Sequence, residues 1–193
     1  MKFIFAIIPF LFLSACQPEA KKDPLGNPIV KKKVETLKAE EGCQFISNAH
    51  IANILGINEA VIKQRPPQNQ DNSTTCIWYW MQNGKRQSLY LRAERNPDVK
   101  KYPKKFDNFL DFSLKKGEKR FYKDGKEETV SFTEIPKLGN RAIWSEGGRI
   151  LKWHYKNQFL FALSVDKLNS VNDVATDFGN IKKLAAVINE SIE

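Results

Sequence analysis

The architecture of this chain is set by residues 76–93, which read CIWYWMQNGKRQSLYLRA. Successive side chains of a strand point to opposite faces, so the first half of this segment places Cys76, Trp78 and Trp80 together on one face. Asn83-Gly84 indicates a tight turn, after which a second strand again alternates apolar and polar side chains. The segment therefore predicts an antiparallel hairpin whose tryptophan-bearing face lies in the core.

Helices are predicted before and after this hairpin along the chain. Ser47 is a suitable N-cap for a short helix that ends at Gly56. The segment from Tyr102 to Lys116 carries an apolar stripe and begins with Pro103 in its first turn. The segment from Asp173 to Glu190 has one continuous apolar stripe, which predicts packing on a sheet.

Further short strands complete the pattern. Asp124-Gly125 indicates a turn between strands at 120–123 and 127–133, and a meander follows at 141–145, 149–155 and 159–165. Hairpins with helices segregated from them are typical of the α+β class. We expect a curved antiparallel sheet of about five to seven strands, covered on one face by helices, with the C-terminal helix packed on it. The order of the strands stays open.

The N-terminus indicates export. Lys2 is followed by an unbroken apolar run and then by Leu13-Ser14-Ala15-Cys16. The run is shorter than the roughly 20 residues that a membrane-spanning helix needs, and it fits a removable signal. The arrangement resembles a bacterial lipoprotein signal peptide that ends in a lipobox. An ordinary secretory signal with an incidental cysteine is the alternative.

The lipobox resemblance implies cleavage after Ala15, acylation of Cys16 and a mature chain held to a membrane by lipid. The next residue is Gln17, whereas an aspartate there favours retention in the inner membrane in such proteins. We therefore expect a cell-envelope location, on the periplasmic face of the outer membrane if the cell has two membranes. The chain divides into a signal peptide at 1–15, a lipidated, flexible tether rich in proline and lysine at 16–33, and a single α+β domain at 34–193.

The cysteines predict a disulfide. The chain has three cysteines, and lipidation of Cys16 leaves Cys43 and Cys76 as an even pair in an oxidising compartment. We predict a Cys43–Cys76 bond, with two free thiols as the alternative. Two cysteines without clustered histidines provide no ligand set for a metal ion.

The chain is basic, with 31 Lys and Arg against 22 Asp and Glu and a net charge of +9. Removal of the leader takes away Lys2 and leaves a net charge of +8. A positive domain on a lipid tether is attracted to anionic lipid or acidic polymer, although lysine-rich surfaces also serve solubility alone. The exported location disfavours nucleic acid as a partner, and the oligomeric state stays open.

Two stretches are similar to small exported lipoprotein domains of unassigned function. One is Gly42-Cys43 with its short helix and the returning Cys76-Ile77-Trp78, and the other runs from Leu138 to Val165. Some domains of this kind have a PsbP-like α+β fold. The resemblance implies fold and location, and it carries no catalytic residue. Some relatives have an aspartate where this chain has Asn140.

Catalytic motifs are absent from the sequence. The two histidines, His50 and His154, lack metal-ligand spacing, and no nucleophile elbow or phosphate-cradling loop occurs. We expect no cofactor, no metal and no enzymatic activity. The alternative is an envelope hydrolase with an unrecognised site.

A binding module for a protein, a glycan or an anionic lipid is therefore the function that we expect, with a scaffold or assembly factor of an envelope complex as a further alternative. All four tryptophans fall on predicted strands and are expected in the core. Alternation leaves an aromatic and basic patch on the other sheet face, and its candidate residues are Tyr90, Arg92, Lys152 and His154.

Overall fold

The computed structural model describes residues 38–121, 125–166 and 168–192. The predicted signal peptide, the predicted tether with Cys16, and residues 122–124 of the predicted hairpin lie outside the described residues. Short 3-10 helices occur at Ala39–Gln44 and Glu59–Val61. The helices are α1 (Asn48–Leu55), α2 (Lys105–Lys116) and α3 (Val174–Glu190). The strands are β1 (Lys63–Gln64), β2 (Gln68–Gln70), β3 (Ser73–Gln82), β4 (Lys85–Arg95), β5 (Glu118–Phe121), β6 (Glu127–Val130), β7 (Thr133–Ile135), β8 (Arg141–Ser145), β9 (Ile150–Tyr155) and β10 (Phe159–Val165).

Eight of the ten described strands form one sheet in the order β1-β3-β4-β10-β9-β8-β7, with β2 also paired to β3. Its pairs are antiparallel, and β5 and β6 form a separate two-stranded hairpin. The α+β class is therefore confirmed. The pairing that the pattern could not give is β10 with β4, in which Leu163 lies opposite Leu91. This pair joins the β3–β4 hairpin to the meander formed by β7 to β10.

The main core lies on the face of the sheet that carries the tryptophans. Trp78 and Trp153 are fully buried there, and Trp80 and Trp144 are nearly so, which confirms the expected core placement. Helices α1 and α3 cover this face, and α3 contacts β9 and β10. The C-terminal helix thus packs on the sheet through its apolar stripe, as predicted.

The disulfide links the first 3-10 helix to the main core. Cys43, in the first 3-10 helix, is bonded to Cys76 on β3, with 5.5 Å between the two Cα atoms. Ser47 caps α1 as expected, because its Oγ accepts a hydrogen bond from the backbone N–H of His50 at 3.2 Å. Gly56 ends the helix at φ +66°, a conformation that suits glycine.

Helix α2 lies on the opposite face, so the expectation that helices cover only one face is wrong. Phe106 and Leu110 pack there with Ile143 and Leu160 in a second, smaller core. The helix begins at Lys105 rather than at Tyr102, because Pro103 and Lys104 lie in a turn. The strand predicted at 127–133 is broken between β6 and β7 by Ser131-Phe132, and Phe132 joins the second core.

Candidate functional site

The predicted patch lies on one face of the sheet, but the structure divides it into an open part and a covered part. Tyr90 is half-buried, and the side chain of Arg92 is 50 % exposed. In contrast, Lys152 and His154 retain only 7 % and 2 % exposure. The expectation of an exposed patch is therefore wrong for these two residues, because α2 and the β5–β6 hairpin cover their part of the sheet.

His154 belongs to a closed hydrogen-bond network beneath α2. Its Nε2 lies 2.9 Å from Oδ1 of Asp107, and its Nδ1 accepts from the backbone N–H of Asn157 at 3.3 Å. The side-chain amide of Asn157 donates to Oδ2 of Asp107 at 2.7 Å. Burial acts to raise the pKa of Asp107, but the hydrogen bonds from Asn157 and His154 hold it below its usual value. Both ring nitrogens of His154 are engaged, so this histidine fastens α2 to the sheet and has no free nitrogen for general-base catalysis.

Lys152 has a similar fastening role. Its ammonium donates a hydrogen bond to Glu118 and lies 4.9 Å and 5.2 Å from the ring centroids of Phe109 and Phe132. Burial lowers the pKa of Lys152, although the hydrogen bond and charge of Glu118 act in the opposite direction. Ser113 also donates to Glu118, at 2.7 Å. Glu118 therefore attaches the β5–β6 hairpin to β9 through the ion pair and to α2 through the hydrogen bond from Ser113.

Beyond α2 the same sheet face is open. Strands β1, β3 and β4 expose part of it, and we call this surface the open face. Its side chains are Lys63, Arg65, Ile77, Tyr79, Arg86, Tyr90 and Arg92. Register fixes the arrangement, because Tyr79 lies opposite Lys63 on one side, while Ile77 lies opposite Tyr90 on the other. The surface is thus continuous across three strands.

The open face has excess positive charge. The guanidinium of Arg86 lies 4.3 Å from the ring centroid of Tyr79, and that of Arg65 lies 5.8 Å from the same ring. Stacking of this kind holds a guanidinium over an aromatic face while its edge remains available to an anion. Within the described residues, Arg65 and Arg86 form no ion pair, whereas Arg92 lies 3.6 Å from Glu94.

Glu94 is the one acidic residue that β1, β3 and β4 place on this side of the sheet. It is shared, because Lys105 of α2 also pairs with it at 2.9 Å. The negative charge of Glu94 is therefore already neutralised by two cations, and the remaining cations on the open face are available to a ligand.

Sequence reasoning missed Arg65, Arg86 and Tyr79 as members of this surface. The signal for Tyr79 was present, because it alternates with Trp78 and Trp80 and so faces away from the main core. Arg65 could not be placed in the same way. It precedes Pro66-Pro67 in a segment without strand periodicity, and only its pairing with Ile77, whose carbonyl accepts from the Arg65 N–H at 2.9 Å, brings it to the sheet.

A pocket of about 320 Å³ lies on the other, helix-covered face, between α1, α3 and the turn end of the β3–β4 hairpin. Asp177 is the buried charge in its wall, with 2 % exposure. Its carboxylate accepts hydrogen bonds from Arg149, from Ser170 at 2.8 Å and from Asn172 at 3.1 Å. The hydrogen bonds of Asp177 are therefore satisfied and its charge is compensated by Arg149.

The described part of the chain has neither a metal-ligand cluster nor a membrane-spanning helix. It contains no group of three or more His, Cys, Asp or Glu side chains placed to hold a metal ion. Within it, no helix combines the length and apolarity needed to cross a membrane. In comparisons with known proteins, no family model, curated protein or solved structure matches this chain.

Proposed function

We propose that this chain is a lipid-anchored, non-enzymatic binding module of the cell envelope, and that its open face binds anionic lipid headgroups. The observation that carries the proposal is the arrangement of Arg65 and Arg86 around Tyr79, with neither cation in an ion pair within the described residues. Phosphate is a natural ligand for such guanidinium groups, since their planar edges donate paired hydrogen bonds.

The shape of the open face supports a surface as its ligand. It is built from neighbouring strands, and it carries half-buried aromatic and apolar side chains between exposed cations, namely Ile77, Tyr79 and Tyr90. Tyrosine favours the interfacial region of a bilayer, where its ring is apolar and its hydroxyl remains hydrated. A basic, aromatic sheet face thus suits the plane of a headgroup layer.

With the proposed lipid anchor on Cys16, weak contacts between the open face and the membrane are sufficient for binding. A tether confines the domain near the bilayer, so binding of the open face becomes an intramolecular event at high effective concentration. Each basic side chain near an anionic surface contributes about 1 kcal/mol. Three cations of the open face that form no ion pair with described residues (Lys63, Arg65 and Arg86) therefore suffice to hold the domain against the membrane to which it is attached.

Vesicle binding tests the open face without the anchor. Residues 17–193, which include every described helix and strand, are titrated with phosphatidylcholine vesicles that contain or lack phosphatidylglycerol. We expect binding only to the anionic vesicles. Replacing Arg65 and Arg86 by glutamine removes two cations and should weaken partitioning by about 30-fold, because each contributes about 1 kcal/mol.

A matched variant separates the open face from overall charge. Lys182→Gln with Lys183→Gln removes two exposed cations from α3, on the other side of the sheet. We expect this variant to bind within threefold of the parent. If both double variants lost vesicle affinity equally, binding would depend on net charge alone and the open face would be rejected as the binding surface. Absence of binding to anionic vesicles would reject the proposal altogether.

The anchor has its own test. Mass spectrometry of the mature chain from membranes should find an N-terminal Cys16 that carries acyl groups. Cys16→Ser should release the domain from the membrane fraction or leave its leader uncleaved. An unmodified Cys16 in the native product would refute the anchoring half of the proposal and leave the vesicle result unaffected.

A further inference from the structure

The pocket between α1 and α3 has the form of a small-ligand site that is separate from the open face. Its volume of about 320 Å³ is near the lower end of the 300–1,000 Å³ range of ligand pockets. Trp80 and Leu89 contribute its sheet side, while Leu55 of α1 and Ile181 of α3 contribute apolar walls. Such a space suits a ligand of one or two rings.

The walls are held in place before any ligand binds. Gln87 fixes the loop before α3, because its Nε2 donates to the carbonyl of Asn169 at 2.6 Å and its Oε1 accepts from the N–H of Val171 at 3.3 Å. Asp177 and Arg149 fix the first turn of α3 on the same side. A preformed wall loses little conformational freedom on binding, which favours affinity.

The chemistry of the lining excludes a charged ligand. Asp177 is already satisfied by Arg149, Ser170 and Asn172, so the pocket presents no uncompensated charge among the described residues. The remaining polar lining groups are uncharged carboxamides and the hydroxyls of Ser88, Ser170 and Thr176. Gln82 accepts a hydrogen bond from the indole N–H of Trp80 at 3.2 Å, and its own amide group is left to donate.

Asn53 on α1 and Asn180 on α3 line the pocket from its two helical sides. Asn53 is exposed and Asn180 is half-buried, and within the described residues neither side chain makes a hydrogen bond. Each offers one acceptor and two donor hydrogens to an uncharged polar group. Because the polar end of Trp80 is satisfied by Gln82, its ring acts as an apolar wall beside these amides.

We propose that this pocket binds one unit of an uncharged N-acetylated sugar. A pyranose has an apolar C–H face for an aromatic ring, and its hydroxyls pair with carboxamides. The acetamido group adds an N–H and a carbonyl for Asn53 and Asn180 and a methyl group for the apolar wall at Leu55. The site would add ligand recognition on the helix-covered face, independent of lipid binding by the open face.

The test titrates ¹⁵N-labelled residues 17–193 with N-acetylglucosamine and follows amide and indole signals by NMR. We expect saturable shifts confined to the pocket, including the indole N–H of Trp80, with a Kd on the order of 1 mM for a ligand of this size. Asn53→Ala with Asn180→Ala should raise the Kd at least tenfold. Asn180→Trp, which puts a bulky ring on the pocket wall, should abolish the shifts.

Two controls make the outcome decisive. Asn72→Ala with Asn108→Ala removes two exposed asparagines outside the pocket lining and should leave the Kd unchanged. Glucose, which lacks the acetamido group, should bind at least tenfold more weakly than N-acetylglucosamine. Hexanol serves as an apolar probe that lacks the sugar's polar groups. Absence of saturable shifts, equal effects of the two double variants, or a response to hexanol but not to N-acetylglucosamine would overturn the proposal.

Discussion

Asn157 is predicted to be the residue that most strongly fixes α2 to the sheet. It lies in the turn between β9 and β10 with φ +52°, and its Oδ1 accepts hydrogen bonds from the backbone N–H groups of Phe106 and Asp107 at 3.0 and 3.1 Å. It thus caps a helix to which it is not connected locally. Replacing it by glycine removes these bonds and the amide contact to Asp107, while the backbone conformation remains accessible.

The expected loss can be built from these contacts. Removal of an N-cap costs about 1 kcal/mol. The lost hydrogen bond to the Asp107 carboxylate costs about 1 kcal/mol, which is below the usual range for charged groups because that side chain is 35 % exposed and solvent screens the interaction. The extra chain entropy of glycine adds about 0.5 kcal/mol. Asn157→Gly should therefore lower the free energy of unfolding by about 2.5 kcal/mol.

Alanine and aspartate at the same position separate the causes. Asn157→Ala loses the same contacts and adds about 1–2 kcal/mol for a left-handed backbone without glycine, so it should be the less stable of the two. Asn157→Asp keeps the capping oxygen but faces the carboxylate of Asp107, so its stability should recover on acidification. The measurement is urea unfolding with the disulfide intact, with Asn108→Ala, an exposed asparagine on α2, as the control. Values for glycine and alanine within 0.5 kcal/mol of the parent would refute the reasoning.

The remaining predictions also concern the stability of the fold. Replacing Cys43 and Cys76 by serine should cost about 3–4 kcal/mol by the loop-entropy argument for 33 residues of separation, and equal melting temperatures with and without reductant in the parent would contradict this. Because the pKa of Asp107 is lowered in the folded state, its stabilising contribution is complete above about pH 4 and is lost as the pH falls through the folded-state value. The stability difference between the parent and Asp107→Asn should accordingly shrink in acid, and a difference that grows below pH 4 would show the sign to be wrong. Gly139→Ala should destabilise by at least about 2 kcal/mol, because glycine there has φ +58° and an added Cβ would lie 2.5 Å from the carbonyl oxygen of His154; unchanged urea unfolding would contradict this steric argument.

Local sequence pattern was sufficient to predict an element where one residue pair or one turn fixes its geometry. The alternation through Trp78 and Trp80 predicted both the strand and the buried face. The cap at Ser47 and the stop at Gly56 predicted the bounds of α1. The Cys43–Cys76 disulfide is present as predicted from the cysteine count. Each of these rests on hydrogen bonds or periodicity within a few residues, or on the chemistry of one residue type.

The candidate surface was predicted only in part. Alternation correctly put Tyr90, Arg92, Lys152 and His154 on one face of the sheet, because side-chain direction has a period of two residues. It could not show that α2 covers the last two. The stripe of α2 indicates that the helix packs on something, but both faces of this sheet carry apolar side chains that it could cover.

The sequence by itself therefore determined the helices and most of the strands, the disulfide and the inward face of the β3–β4 hairpin, because those depend on neighbours along the chain. Tertiary structure alone decided the pairing of β10 with β4, the position of α2 and the pocket beside α3. The physical reason is distance along the chain: Asn157 caps a helix whose first donors are 51 and 50 residues away. No local pattern encodes a contact of that kind, and the placement of α2 divides the predicted patch into the buried Lys152 and His154 and the open face.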